Sequence, residues 1–219
     1  MPDLLPLFLN LTGRAVLLVG GGRVATAKLQ QLLAAGACVR VVAPEISEEI
    51  LATTPQVECA LRPFVPSDLD GVWLVVAAAT PPVNREVAAV AETERVFVNA
   101  VDDPANASAF LSGVVRRDGV TLAISTSGDA PALTALLREA FDALLPRDLG
   151  QWVSQARAER VVWRREGVPM EARKPRLLMA LNDLYRSPEG ARHTGTDADV
   201  AQGVSPAVPW LNLPEDSWL

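Results

Sequence analysis

The stretch AVLLVGGGRVATAKLQQLLAAGACVRVVA, residues 15–43, determines the fold. Its first five residues, Ala15–Val19, form an apolar run typical of a strand, and three glycines follow directly. Apolar residues at helical spacing then predict a helix over residues 23–35, ended by Gly36. A second apolar run, Cys38–Ala43, predicts another strand. A strand, a glycine turn, a helix and a strand within about 30 residues predict one βαβ unit.

The glycine turn has the spacing of a dinucleotide-binding fingerprint, since Gly20, Gly22 and Ala25 give G-x-G-x-x-A. Gly20 permits the tight turn, and Gly22 lets the backbone approach a pyrophosphate. The small Ala25 lets the helix pack close to the sheet, and the N–H groups at the helix start face the phosphates. We therefore predict Gly20, Gly22, Arg23, Val24 and Ala25 as cofactor-binding residues. The alternative is a glycine turn without a ligand.

The end of the second predicted strand departs from the simple fingerprint. Ala43 and Pro44 stand where an acidic residue is expected, and Glu45 follows. We expect the Glu45 side chain, or backbone atoms of Pro44 and Glu45, to contact the ribose. No arginine follows the strand to hold a 2′-phosphate, so NAD is favoured over NADP as the cofactor.

The following residues continue the alternation of strands and helices. Strands are predicted over residues 57–62, 72–77 and 96–100, with a helix over residues 82–94. This alternation predicts an α/β fold with a Rossmann-type doubly wound parallel sheet. Residues 1–113 are the predicted NAD-binding domain.

The pattern changes after residue 109. Two strands, over residues 109–115 and 120–125, are predicted to form a hairpin around an Asp-Gly turn. Helices are predicted over residues 131–145, 150–166 and 170–185. We interpret residues 114–148 as a hairpin/helix dimerisation region, 149–185 as a small helical domain and 186–219 as an extended or disordered tail. A homodimer is expected because so small an appendage cannot bury all of its apolar surface by itself. The side chains that provide this surface are Leu136, Leu137, Phe141 and Leu144.

Composition narrows the possible functions. The net charge of −6 argues against nucleic-acid binding. The longest apolar run is too short to span a bilayer and no signal peptide is visible, so we expect no membrane association and a cytoplasmic location. Cys38 and Cys59 are expected to be reduced and buried. The one histidine, His193, lies in the predicted tail, and without a zinc-ligand spacing no metal site is predicted.

Asp102 follows the fifth predicted strand and is the candidate catalytic residue. Oxidation by hydride transfer also releases a proton, and a carboxylate beside the crevice at a strand end can accept it. The alternative is that Asp102 belongs to a solvated turn.

A second group of candidates precedes the helix that begins at Pro131. Ser125, Thr126 and Ser127 bring hydroxyl and N–H groups together, which suits carboxylate binding. The alternative for this loop is helix capping by Asp129.

Five segments form a combination that is more specific than any one of them: LPLF at residues 5–8, VGGGRVA at 19–25 with Lys28, AAGA at 34–37, FVNAVD at 97–102 and AISTSG at 123–128. Together these segments resemble the precorrin-2 dehydrogenase family, which includes the N-terminal module of bifunctional siroheme synthase. The similarity covers residues 4–165. The acidic pair that relatives often carry after the fourth strand is absent here, where Thr80 is followed by two prolines.

The resemblance implies NAD-dependent oxidation of precorrin-2 to sirohydrochlorin in siroheme biosynthesis, and some family members also insert ferrous iron. It aligns Asp102 with the family's acidic active-site residue and adds Thr80 and Asn99 as cofactor-binding candidates. The substrate carries several carboxylates, so Arg116, Arg117 and Arg138 become candidate partners. Thr126 aligns with a serine that is phosphorylated in some relatives.

Two other functions remain open at this point. The chain could be a stand-alone sirohydrochlorin ferrochelatase that uses the nucleotide fold only as a scaffold. It could also be a non-catalytic NAD-sensing regulatory domain, since such domains share the βαβ start and also dimerise. The hairpin and helices after residue 109 argue against the sensor.

Overall fold

A computed structural model describes residues 4–111 and 113–186. Five parallel strands form the main sheet in the order β3-β2-β1-β4-β5. They are β1 Ala15–Val19, β2 Cys38–Ala43, β3 Glu58–Leu61, β4 Leu74–Ala77 and β5 Phe97–Ala100. The chain runs outward from β1 to β3 and then crosses to β4, so the strand order reverses between β1 and β4. This arrangement confirms the predicted Rossmann-type doubly wound sheet.

Helices cover both faces of the central strands. Side chains along β1 alternate, so Val16 and Leu18 pack with helix α1, Arg23–Ala34, while Leu17 and Val19 pack with helix α3, Pro81–Glu94. Burial on both faces explains why β1 and β4 are continuously apolar. A short helix α2, Glu48–Leu51, and two 3-10 turns, Pro66–Leu69 and Pro104–Asn106, complete this part of the chain.

The hairpin begins later than predicted. Its strands are β6, Gly113–Arg117, and β7, Val120–Ile124, where the prediction began at residue 109. The reason is that the backbone N–H groups of Ser108 and Ala109 both donate to the Val98 carbonyl, so this segment follows the edge of β5. The Asp-Gly turn is confirmed, with positive φ at both Asp118 and Gly119, as a type I′ hairpin turn requires.

The described residues divide into two compact units. The first comprises the residues up to Gly113 together with Ala123–Glu139. The second comprises Val114–Leu122 and the residues from Ala140 onward. Helix α4, Pro131–Leu144, contributes residues to both units. The separate dimerisation region and helical domain stay predictions.

The second unit has its own core. Helices α5, Leu149–Glu166, and α6, Met170–Arg186, bury Leu149, Trp152 and Leu181. The Trp152 indole N–H donates to the Tyr185 hydroxyl over 2.6 Å. Burial raises the pKa of Tyr185 to about 12. Within the described part of the chain, no helix is both long and apolar enough to cross a membrane.

The prediction of two buried cysteines is wrong. Cys38 is exposed and Cys59 is half-buried. Cys38 is the first residue of β2 and pairs with Ala15, which is also exposed, so neither helix layer covers this end of the strands. Residues 187–219, which include His193 and nearly all of the predicted tail, lie outside the described residues.

Candidate active site

The glycine turn after β1 is enclosed by the ends of two neighbouring strands. Gly20 has φ +127°, and a methyl group there would overlap the Ala78 carbonyl. A methyl group on Gly21 would overlap the Glu45 carbonyl. The Gly20 N–H donates to the Val42 carbonyl over 3.0 Å. Both positions therefore require glycine for close backbone approach.

The third glycine is open to a ligand. A methyl group on Gly22 would meet no atom of the described residues within 4 Å, and φ is an ordinary −91°. Gly22 is the N-cap of α1, which has neither a side-chain cap nor an acidic residue in its first turn. Its first N–H groups lack intrahelical partners, so they are available to an anion. The residues present fit the diphosphate of a dinucleotide.

The other residues predicted for the cofactor surround this turn. Ala25 is fully buried against the sheet, while Arg23 and Val24 are exposed at the start of α1. Pro44 and Glu45 are exposed at the end of β2, and the following loop is tied to the turn because the Ser47 N–H donates to the Gly21 carbonyl. The fold therefore brings the predicted glycine and β2 residues together.

Thr80 and Asn99 differ in their surroundings. Thr80 is exposed as the N-cap of α3, and its side chain makes no capping hydrogen bond. Asn99 is buried in β5, where its amide nitrogen donates to the Ala109 carbonyl over 2.9 Å. The Asn99 side-chain oxygen is buried without a partner among the described residues. That oxygen is an available acceptor beside the loop that carries Asp102.

Asp102 lies two residues beyond β5 and lines a pocket of about 460 Å³. Its φ of +57° is a left-handed conformation that aspartate tolerates better than most residues. The side chain is exposed. The pocket lies at the carboxyl ends of β4 and β5, where Rossmann folds bind their ligands. Its other lining residues include Ala79, Pro81, Asn84, Arg85, Val101 and Asn106.

A buried amide holds the two loops of this pocket together. The Asn84 side chain accepts a hydrogen bond from the Ala79 N–H over 3.0 Å and donates to the Val101 carbonyl over 3.4 Å. Asn84 thus positions the residue directly before Asp102. Sequence reasoning gave Asn84 no role, although a polar residue at a buried helix position was an available signal.

Lys28 and Arg85 are the basic residues associated with Asp102. Burial lowers the pKa of the Lys28 amine, and the charge of Asp102 partly opposes that shift. Arg85 lines the pocket from the second turn of α3. Sequence reasoning missed Arg85 as a site residue because only its position shortly after β4 distinguishes it from other surface arginines.

The loop before α4 uses much of its hydrogen-bonding capacity internally. The Thr126 hydroxyl lies 2.9 Å from that of Thr134 and accepts from the Ala130 N–H. The Ser125 hydroxyl accepts from the Ser127 N–H, and Ser127 has φ +55°. These contacts tie Thr126 to α4 and to the residue before it, and capping by Asp129 stays a prediction. Substrate binding by these three residues stays a prediction.

The three predicted basic partners have different environments. Arg117 donates to the Asp142 carboxylate over 2.7 Å and to the Leu145 carbonyl over 2.8 Å. These two hydrogen bonds hold Arg117 to the end of α4. Arg138 pairs with its neighbour Glu139 over 3.2 Å. Arg116 is exposed on β6. Across residues 4–111 and 113–186, the structure forms no cluster of three His, Cys, Asp or Glu side chains that could hold a metal ion.

The fold and the glycine turn define a Rossmann-type dinucleotide-binding protein. Residues 7–113 match a family model described as "Putative NAD(P)-binding". Siroheme synthase 3 of Aeromonas hydrophila is 46% identical over 151 residues, which are 68% of this chain and 32% of the relative. The siroheme synthase of Photorhabdus laumondii is 43% identical over 151 residues, which are again 68% of this chain and 32% of the relative. The solved structure of SirC, precorrin-2 dehydrogenase, has a TM-score of 0.64 and 28% identity, covering 86% of this chain and 96% of that one.

These similarities confirm the predicted resemblance to the precorrin-2 dehydrogenase family. The chain spans about a third of the length of the siroheme synthases it matches. These similarities confirm NAD as the predicted cofactor.

Proposed function

We propose that this chain oxidises precorrin-2 to sirohydrochlorin with NAD as the hydride acceptor. The proposal is carried by two features that occur together at the carboxyl ends of the sheet strands. One is a glycine turn whose N–H groups are available to an anion, and the other is a pocket lined by the Asp102 carboxylate. The similarity to SirC, precorrin-2 dehydrogenase, extends over nearly the whole of that chain and supports the choice of substrate.

The residues around the turn would hold the cofactor. The backbone at Gly22 and the first N–H groups of α1 suit the diphosphate, and Glu45 suits a ribose hydroxyl. Residues 44–51 contain three glutamates and neither lysine nor arginine, so a 2′-phosphate would meet like charge there. This favours NAD over NADP. NAD, when bound, supplies the hydride acceptor.

Asp102 would manage the proton. Oxidation of the macrocycle removes a hydride and a proton, and a carboxylate that lines the pocket can accept the proton. Asn84 keeps the Asp102 loop next to the end of β4 through its two hydrogen bonds. Because Asp102 is exposed, it can return the proton to solvent in each cycle.

The test is an anaerobic assay of the full chain with precorrin-2 and NAD. We expect NADH and sirohydrochlorin to form in equal amounts, with no product when NAD is omitted. Calorimetry in the same buffer measures NAD binding separately. NAD binding without turnover would contradict the dehydrogenase and favour the sensor. Absence of NAD binding would contradict the proposed cofactor site.

We also propose a homodimer formed through α4. Leu136 and Leu144 are 62% and 65% exposed, and Leu133 and Phe141 are exposed on the same helix. Such an apolar stripe on one helix is typical of an interface. Leu136→Glu is expected to give monomers by light scattering, whereas the exposed neighbour Ala135→Glu is expected to stay dimeric. A monomeric wild-type chain at micromolar concentration would contradict the homodimer.

A further inference from the structure

The pocket beside Asp102 contains few polar groups that are available to a ligand. Asn84 is occupied by its two backbone partners. The Asn106 amide donates to the Asp103 carboxylate over 2.8 Å. Arg85 and Asp102 are therefore the lining side chains whose charged groups have no hydrogen bond or ion pair to any residue that the structure describes. One is cationic and the other is anionic.

The backbone around the pocket cannot replace the positive charge of Arg85. Helix α3 begins with Pro81 and Pro82, and proline has no N–H. The helix start therefore presents fewer N–H donors to an anion than an ordinary helix does. The described residues of the first unit also include more acidic than basic side chains, so the general field there repels an anionic ligand.

Arg85 is exposed, and it forms no ion pair with any residue that the structure describes. A guanidinium with its donors open to a pocket matches a carboxylate in geometry and charge. We propose that Arg85 binds a carboxylate of the tetrapyrrole substrate and determines specificity for a polyanionic macrocycle. This inference rests on the proposed dehydrogenase function. The Arg85 contact orients the substrate while Asp102 faces the carbon that loses its proton.

A cofactor contact is the alternative explanation for Arg85, because β1, which leads to the glycine turn, and β4, which leads to the helix that carries Arg85, are neighbouring strands. If Arg85 served the cofactor instead, its replacement would weaken NAD binding. If it served the substrate, NAD binding would be unchanged.

The experiment compares Arg85→Gln with Arg95→Gln in the full chain. Arg95 is also exposed, caps the other end of α3 and makes no ion pair with any described residue, so both variants lose one positive charge from the same helix. We measure the dissociation constant of sirohydrochlorin by fluorescence quenching with NAD present, the dissociation constant of NAD by calorimetry, and KM and kcat for precorrin-2.

Arg85→Gln is expected to weaken sirohydrochlorin binding and raise KM by about tenfold to a hundredfold, which is the effect of one charge-assisted hydrogen-bonded pair. NAD affinity and kcat should stay within about threefold. Arg85→Lys should recover part of the loss, and Arg95→Gln should behave as the wild type.

The inference is overturned if Arg85→Gln binds sirohydrochlorin within twofold of the wild type, if NAD binding falls equally, or if Arg95→Gln loses as much. It is also overturned if the wild type binds no sirohydrochlorin. If the wild type binds sirohydrochlorin in an Arg85-dependent manner but does not turn over precorrin-2, the dehydrogenase proposal fails while the carboxylate contact stands.

Discussion

Replacing Gly22 with alanine should separate cofactor binding from folding. The backbone at Gly22 has φ −91°, which alanine adopts readily, and the added methyl group meets no atom within 4 Å in the part of the chain that the structure describes. Alanine is a poorer N-cap than glycine by up to about 1 kcal/mol. For a chain of this size, that lowers Tm by only about 2–4 °C.

The effect on NAD should be much larger. The methyl group would occupy the space through which a diphosphate approaches the backbone. Loss of one charge-assisted hydrogen bond costs about 1.5–3 kcal/mol. The dissociation constant of NAD should therefore rise by about tenfold to a hundredfold.

Calorimetry with NAD and thermal unfolding of the same samples measure the two effects. Gly20→Ala is the matched comparison, because φ is +127° and its methyl group would overlap the Ala78 carbonyl. The Tm of Gly20→Ala should therefore fall by more than the Tm of Gly22→Ala. If Gly22→Ala kept wild-type NAD affinity, the diphosphate would not lie at Gly22. If Gly22→Ala unfolded, the open geometry of the turn would be wrong.

Three further predictions concern single side chains. Asp102→Asn should lower kcat by about 10²–10⁴-fold with unchanged NAD affinity by calorimetry, and normal turnover would remove Asp102 from the mechanism. The paired hydrogen bonds from Arg62, at 2.8 and 2.6 Å, hold the pKa of Asp68 below its usual value. The stability that ionised Asp68 gives to the folded state is therefore present above the unfolded pKa, and it is lost as pH falls through the folded pKa. Asp68→Asn should cost about 2 kcal/mol near pH 7 in urea unfolding, and the gap to the wild type should narrow below about pH 4; a pH-independent gap would contradict the linkage. Because burial raises the pKa of Tyr185 to about 12, the wild type should lose stability between about pH 10 and 12, and Tyr185→Phe should abolish that loss in alkaline thermal unfolding.

The first βαβ unit could be predicted from sequence because its signals are local. The apolar run of β1, the glycines after it and Gly36 at the end of α1 each specify their own conformation, and β1 and β2 were predicted with the bounds observed. The same holds for the hairpin turn, where Asp118 and Gly119 adopt the expected positive φ.

Features that depend on packing could not be predicted from local patterns. The apolar run around Cys38 gave no indication that this strand end lacks a covering helix. The residues after β5 looked like the start of a hairpin, yet Ser108 and Ala109 bond to Val98 because the edge of β5 offers an acceptor. Asn84 and Arg85 line the Asp102 pocket only because the sheet places the ends of β4 and β5 side by side.

The tight enclosure of Gly20 and Gly21 has a consequence for how the cofactor site could be altered. The backbone at Ala78 and Glu45 leaves no space for a side chain at Gly20 or Gly21, so a substitution at either position would displace the turn itself. A change of preference from NAD to NADP would therefore have to be made in the glutamate-rich segment after β2, where side chains can be exchanged without disturbing the turn.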